Sequence, residues 1–308
     1  MITSIIYENN DFYGNAMNQW DTITRHIEQV TGVTFSVKQQ MTVSGGSINS
    51  AYVLSDEKNR YFVKTNASGR QDMFEAEAKG LQALAQSHTL MVPLPICYGD
   101  DQQKSYIVME YLEMDGSADQ ARLGEQLAAM HQVYQAQFGW HIDNTIGSTP
   151  QINTLSENWL HFWCEQRLGY QLTLAAKNGY TGELQVLGEK LLVEAPKLFT
   201  GHSIRPSMLH GDLWGGNVAG LADGTPVIFD PAFYYGDREA DLAMTYVFGG
   251  FTADFYASYQ EVLPLDAGFP LRRTFYNIYH ILNHMNMFGG GYQGQSLRMM
   301  QQVLANMS

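Results

Sequence analysis

In the run His210-Gly211-Asp212-Leu213-Trp214-Gly215-Gly216-Asn217, followed thirteen residues later by Asp230, a carboxylate, an amide and a second carboxylate stand in order. This is the spacing that phosphoryl transfer to a hydroxyl requires. Asp212 is placed to accept the proton of the attacking hydroxyl. Asn217 and Asp230 supply hard oxygen ligands for the Mg²⁺ that bridges nucleotide phosphates. A plain Asp/Asn/Gly loop carries the same residue types, so the assignment depends on what the rest of the chain provides.

The elements that must position these groups are legible as patterns. An amphipathic segment from Asn18 to Val30 places Trp20, Ile23, Ile27 and Val30 on one face, with Gly32 as a stop. Strand-like runs follow at Thr34–Gln39, Ala51–Leu54 and Tyr61–Thr65, then a helical period over Gln71–Gln86. Pro93 and Pro95 precede further strand runs at Ile96–Tyr98 and Ser105–Tyr111. From Gln120 helical periods dominate, at Arg122–Tyr134, Glu157–Lys177, Glu183–Phe199 and Leu271–Phe288, interrupted by the motif and the apolar strand Thr225–Asp230. The turn Ala219–Gly224 between Asn217 and that strand brings Asn217 and Asp230 together from opposite ends of a hairpin-like unit. A β-rich first third joined to a helix-rich remainder predicts an α+β fold. Its first domain, residues 1–113, is an antiparallel-sheet lobe, and residues 114–308 form a mainly helical lobe.

Further candidates sit in the first lobe. Gly45, Gly46 and Ser47 lie between two strands, where adjacent glycines let backbone amides approach a phosphate; a simple hairpin has the same composition. Lys64 ends an apolar strand. In the following helix Glu77 shares the apolar face with Met73, Leu81 and Leu84, whereas Glu75 falls with Gln71, Lys79 and Gln82. A carboxylate on the buried stripe needs a cation, and Lys64 is the candidate. Such a Lys–Glu pair orients the α- and β-phosphates. Glu110 and Leu112, at the end of the lobe's last strand, would meet the adenine edge through backbone groups, an assignment made by position alone. Asp241, in Gly236–Leu242, can cap the helix that follows or hydrogen-bond the motif loop. His280 and His284 share a helix face, as in zinc hydrolases, but lack the glutamate and third ligand of such sites, so they read as core or pocket lining.

Composition narrows the partners. A net charge of −13 opposes nucleic acid or an anionic membrane as partner. Two cysteines, Cys97 and Cys164, do not make a disulfide framework. The polar N-terminus has no signal-peptide pattern and no apolar run reaches membrane-spanning length, so a cytoplasmic setting is expected. The oligomeric state is left open, with a slight lean to a monomer.

Together these residues resemble the fructosamine (ketosamine) kinase family, relatives of aminoglycoside and choline kinases within the kinase-like superfamily. The resemblance is carried by Met73-Phe74-Glu75-Ala76-Glu77-Ala78, the His210–Asn217 motif and Phe229-Asp230-Pro231-Ala232-Phe233-Tyr234. Gly236–Ala243 and Leu123–His131 extend it, and it spans roughly Ile27 to Met287. It implies a two-lobed protein-kinase-like fold and ATP-dependent phosphorylation, with Mg²⁺, of the 3-hydroxyl of a ketosamine, free or on a glycated lysine. The product is less stable and frees its amine, which is deglycation. Trp214, two residues past the base, would stack on the sugar or its linkage; otherwise it is buried packing. Because the chemistry is largely positioning and charge stabilisation, Asp212 is expected to need no strongly shifted pKa. Pro231-Ala232 after Asp230 argues against an activation-loop switch, and Ser47 stands where some relatives carry a cysteine. Two other readings stay open: a kinase for another small hydroxylated amine, such as an aminoglycoside or choline, and a pseudokinase, which the presence of Lys64, Glu77, Asp212, Asn217 and Asp230 disfavours.

Overall fold

Tyr61 and Val63 join a core made with Trp20, Ile23, Ile27, Phe35, Leu54 and Val108, and the intervening Phe62 and Lys64 lie on the opposite face of their strand. The computed structural model describes residues 7–8, 18–43 and 48–307. The chain forms two compact units, Met1–Gln86 with Val92–Met114, and Ser87–Met91 with Asp115–Ser308. In the first, strands β1 (Tyr7–Glu8), β2 (Gln39–Val43), β3 (Ser50–Ser55), β4 (Arg60–Ala67), β5 (Pro95–Asp100) and β6 (Lys104–Glu110) make one antiparallel six-stranded sheet, ordered β1-β2-β3-β4-β6-β5.

Helix α1 (Asp21–Thr31) ends where Gly32 takes φ 69° and donates its N–H to the Glu28 carbonyl at 2.9 Å. Helix α2 (Gln71–Gln86) has the bounds its period predicts and buries Phe74, Ala78, Leu81 and Leu84. The strand expected at Thr34–Gln39 is instead β2, which starts at Gln39. Residues 32–37 carry no regular structure, because their groups serve α1 and the core. The Val33 N–H donates to Thr31 Oγ1, the Phe35 N–H donates to Glu28 Oε1 at 3.0 Å, and the Phe35 ring packs edge-on against Tyr61 at 4.8 Å. The apolar run supplies a core plug.

The second unit is helical: α3 (Gln120–Met130), α4 (Trp159–Trp163), α5 (Gly169–Lys177), α6 (Glu183–Glu194), α7 (Arg238–Thr245), α8 (Ala253–Val262), α9 (Phe269–Phe288) and α10 (Gln293–Asn306). A π-helical turn, Cys164–Leu168, joins α4 to α5, so the predicted single helix is continuous but bulged. Helix α3 stops short of Tyr134 because the motif strand claims the chain: Val133 O accepts the Met208 N–H at 2.8 Å and Tyr134 bridges Ser207. Three two-stranded ribbons complete the unit. They pair β7 (Asn144–Ile146) with β8 (Thr149–Gln151), β9 (Ser207–Leu209) with β12 (Tyr234–Gly236), and β10 (Val218–Gly220) with β11 (Pro226–Ile228). No helix among the described residues is long and apolar enough to cross a membrane.

A buried charge network ties α7 to α9. Arg272 grips Glu239 through two bonds, 2.6 and 2.8 Å, and reaches Asp266 at 2.6 Å. Asp237 caps α7 by accepting the Glu239 N–H and also accepts the Tyr276 hydroxyl at 2.6 Å. His202 faces Asp266 at 2.8 Å, Asp237 at 3.3 Å and Glu239 at 3.8 Å. Burial alone would depress the His202 imidazole, but these carboxylates outweigh it and raise its pKa above 6.5. A histidine whose folded pKa is raised adds stability that is complete below the unfolded value and disappears as pH climbs through the folded one. The Tm advantage of wild type over His202→Gln should therefore shrink by a few degrees between about pH 6 and about pH 9. A gap constant across that range would mean that His202 never carries the charge.

Candidate active site

Strand β9 delivers the chain to His210, and Gly211 then turns with φ +83°. A Cβ on Gly211 would sit 2.0 Å from the Ala232 carbonyl oxygen, so no other residue fits this backbone. The turn is held from beneath by Asp241 on α7. Its carboxylate, 2% exposed, accepts the N–H of His210 at 2.7 Å and of Gly211 at 2.8 Å. The cap of α7 is Asp237, so Asp241 takes the loop-binding role of its two expected ones. His131 Nε2 lies 3.3 Å from Asp241, and its Nδ1 meets the Tyr259 hydroxyl at 2.8 Å. Burial would raise the Asp241 carboxyl, yet the His131 and Gly211 N–H groups hold its pKa below the ordinary value.

From this anchor a closed set of bonds connects the motif to the following strand. Burial keeps His210 neutral. Its Nδ1 accepts the Asp212 N–H at 3.3 Å, which leaves Nε2 to donate to the Phe229 carbonyl at 2.9 Å. The Phe229 N–H donates to the Asn217 carbonyl at 3.1 Å. The Asn217 side-chain amide donates to the Asp212 carbonyl at 2.9 Å and to its carboxylate Oδ2 at 3.2 Å. With its NH₂ committed there, Asn217 has its amide oxygen left to offer a cation. Asp230 is exposed and adopts φ +59°, a left-handed conformation that aspartate tolerates better than bulkier residues. Its charge acts on Asp212. Burial pushes the Asp212 carboxyl up, Asp230 adds to this and the Asn217 amide pulls back, leaving a pKa of about 7. The expectation of no strong shift at Asp212 is thus corrected. Two neighbouring carboxylates and an amide oxygen are a donor set suited to a hard divalent ion.

In the first unit, Lys64 Nζ stands 2.6 Å from Glu77 Oε1, with both side chains about nine-tenths buried. Glu75, on the polar face, pairs with Lys79 instead. Two residues beyond Lys64, Asn66 donates to the Ile48 carbonyl at 3.2 Å and the Asn49 side chain at 2.7 Å, tying β4 to the residues that lead into β3. Gly45, Gly46 and Ser47 themselves lie outside the described residues. The Glu110 N–H is bonded to the Leu94 carbonyl at 2.9 Å and its side chain accepts the Leu94 N–H at 2.9 Å. Leu112 receives the Met114 N–H on its carbonyl at 3.0 Å and keeps its own N–H available.

Trp214 is 37% exposed and is not packing filler. Its ring lies over Gly216, where a Cβ would come within 2.1 Å of it, and edge-on to Phe248 at 5.8 Å. His280 and His284 behave as lining. His284 Nδ1 bonds the His280 carbonyl, and burial pushes the His280 pKa down to about 3. The His/Asp/Glu cluster close enough to share an ion among the described residues is His202, Glu239 and Asp266, where Arg272 already holds both carboxylates. The braces His131, Asp241 and Asn66 are distant from the groups they hold, and only the Asp241 role was readable in the sequence, as one of two options.

Gly211→Ala is expected to lose about 2 kcal/mol or more of stability and most catalytic turnover, because the turn can relax only by releasing Asp241 or Ala232. Melting and turnover close to wild type would show that the loop can shift without harm.

Known proteins share this chain's sequence and fold over nearly its full length. The fructosamine kinase family model matches residues 19–306. A Synechocystis protein named as a probable ketoamine kinase is 48% identical over 94% of this chain and 98% of its own. A chloroplastic protein-ribulosamine 3-kinase from Oryza sativa subsp. indica is 40% identical over 94% of this chain and 83% of its own. A solved Haemophilus somnus structure assigned as a fructosamine-3-kinase superposes with a TM-score of 0.86 at 28% identity, covering 94% of this chain and all of the other. Full-length likeness in both sequence and fold, with the motif loop braced as described, leaves one conclusion: the chain belongs to the fructosamine kinase family.

Proposed function

We propose that the protein is an ATP-dependent ketosamine 3-kinase that deglycates amines. The observation that carries this is the clamp of the Asn217 amide on the Asp212 carboxylate, whose burial, with Asp230 beside it, raises its pKa to about 7. A carboxylate with that affinity for protons, fixed by an amide, suits a general base for a sugar hydroxyl. The names of the relatives supply the substrate class, a ketosamine such as a fructosamine or a protein-bound ribulosamine; we take it as free or carried on a glycated lysine.

In this reading the 3-hydroxyl oxygen attacks the γ-phosphorus of ATP, its proton passes to Asp212 and ADP leaves with the electrons of the broken P–O bond. Asn217 and Asp230 would hold Mg²⁺, which when bound offsets charge on the phosphate oxygens. Lys64, oriented by Glu77, would hold the α- and β-phosphates, and the glycine turn at Gly45, Gly46 and Ser47 would cover them. The Leu112 N–H and the Glu110 carbonyl would serve the adenine edge. Trp214 would stack on the sugar. The compartment is not fixed by kinship, since one relative is chloroplastic; a cytoplasmic setting fits the two reduced cysteines.

The test is ATP consumption with Mg²⁺ and a synthetic fructosamine, set beside free sugar, free amine, choline and an aminoglycoside. Phosphate on the 3-hydroxyl of the ketosamine alone is the expected result. Phosphorylation of choline or the aminoglycoside instead would keep the mechanism and discard the substrate. Asp212→Asn should lower kcat about 10²–10⁴-fold with Mg-ATP affinity nearly intact. Asp230→Asn, which preserves the tolerance for positive φ, should weaken Mg-ATP binding itself. For Trp214→Ala we expect the ketosamine KM to rise about 3–10-fold with little change in that for ATP; equal increases would make the indole scaffold.

A further inference from the structure

Beside the motif loop the second unit exposes an aromatic corner of which the mechanism above uses only Trp214. Trp214 and Phe248 meet at 72°, with ring centres 5.8 Å apart, and are 37% and 40% exposed. Behind Phe248 stands His284 at 4.8 Å, itself flanked by Phe288 at 5.7 Å and Tyr292 at 5.4 Å. The corner is built rather than incidental. Phe248 is followed by Gly249 and Gly250, both with positive φ, and a Cβ on Gly250 would lie 2.7 Å from the Gly215 Cα. That contact presses the Phe248 loop onto the backbone next to Trp214.

The corner also lacks the cationic cover that several rings elsewhere in the chain have, among them the exposed Tyr246. Arg205 sits over Tyr134, Arg273 over Tyr246, Arg60 over Tyr111 and Lys104 over Trp20. Among the described residues no lysine or arginine covers Trp214, Phe248, Phe288 or Tyr292. Burial lowers the His284 pKa, so the one basic ring in the group is neutral near pH 7 and repels no cation. Electron-rich faces without an internal cation, on a chain of net charge −13, favour a cation from outside.

We infer that Phe248, with Trp214, is a specificity-determining residue that recognises the protonated secondary amine of the substrate by cation–π contact. The inference rests on the ketosamine reading proposed above. A ketosamine differs from a free sugar or an O-alkyl sugar by carrying an ammonium next to the carbons that bear its hydroxyls, so a site beside the base that attracts an ammonium separates these classes. Trp214 then faces the sugar and Phe248 the linkage nitrogen.

The test compares an N-alkyl fructosamine with its 1-O-alkyl ether isostere, which has the same shape and no charge. Wild type should prefer the amine. Phe248→Leu should raise KM for the amine about 3–30-fold and leave the ether within about twofold, with kcat little changed for either. Phe248→Tyr should restore the preference, because the ring face is kept. Equal losses on both substrates, or no loss on the amine, would overturn the inference while leaving the kinase reading intact. A wild-type enzyme inert on the fructosamine would overturn both. Melting curves of the two variants identify a folding defect, in which case the Leu/Tyr comparison on folded protein decides.

Discussion

The Asp241 carboxylate carries more of this structure than any other group. It is buried, ionised and bonded to two successive backbone N–H groups, His210 and Gly211, and to a histidine that is itself held by Tyr259. A buried carboxylate with three donors is stable where it sits and expensive to displace. The consequence runs outward. Because Gly211 is fixed, Asp212 leaves the turn in one direction; because His210 is fixed, Phe229 and the left-handed Asp230 beyond it are fixed as well. The acid cluster around His202 and Arg272 serves the same end at one remove, since it caps the helix on which Asp241 rides.

The electrostatics of the motif suit the cation of the proposed mechanism. Burial, with repulsion from the neighbouring Asp230 added, brings the Asp212 carboxyl to a pKa of about 7. A protein selected for stability alone would not keep such a pair, and local tension of this kind is the ordinary mark of a working site. In the mechanism proposed above, an ion held by Asn217 and Asp230 would offset the repulsion and favour the ionised form of Asp212, which would couple metal binding to readiness of the base.

Much of this was legible in the sequence where the determinant is local. The Gln71–Gln86 helix has the bounds its period sets, and the Glu77 face could be told from the Glu75 face by counting in steps of three and four. Strands β3 and β4 follow from alternation between turns. Local reading failed where a residue answers to a distant partner. The run at Thr34–Gln39 looks like a strand, but its Phe35 is claimed by Glu28 and Tyr61. The last residues expected in α3 are claimed by β9, more than seventy positions on. Helices α8 and α10 were not anticipated, and neither was the ribbon of β7 and β8. The raised Asp212 pKa and the Trp214–Phe248 corner have the same origin, because both depend on residues that meet only after folding.

The short segment Ser87–Met91 gives the two units an unusual history during synthesis. The chain leaves the first unit after α2, spends five residues as part of the second and returns for β5 and β6. Met91 is bonded there to Ile228 and bridged to Val227. Those partners leave the ribosome roughly ten seconds later at ordinary elongation rates. A nascent chain that has already emerged through β6 therefore carries an unpaired stretch in the middle of its first unit. The connection between α2 and β5 is completed only when the strand leading to Asp230 arrives.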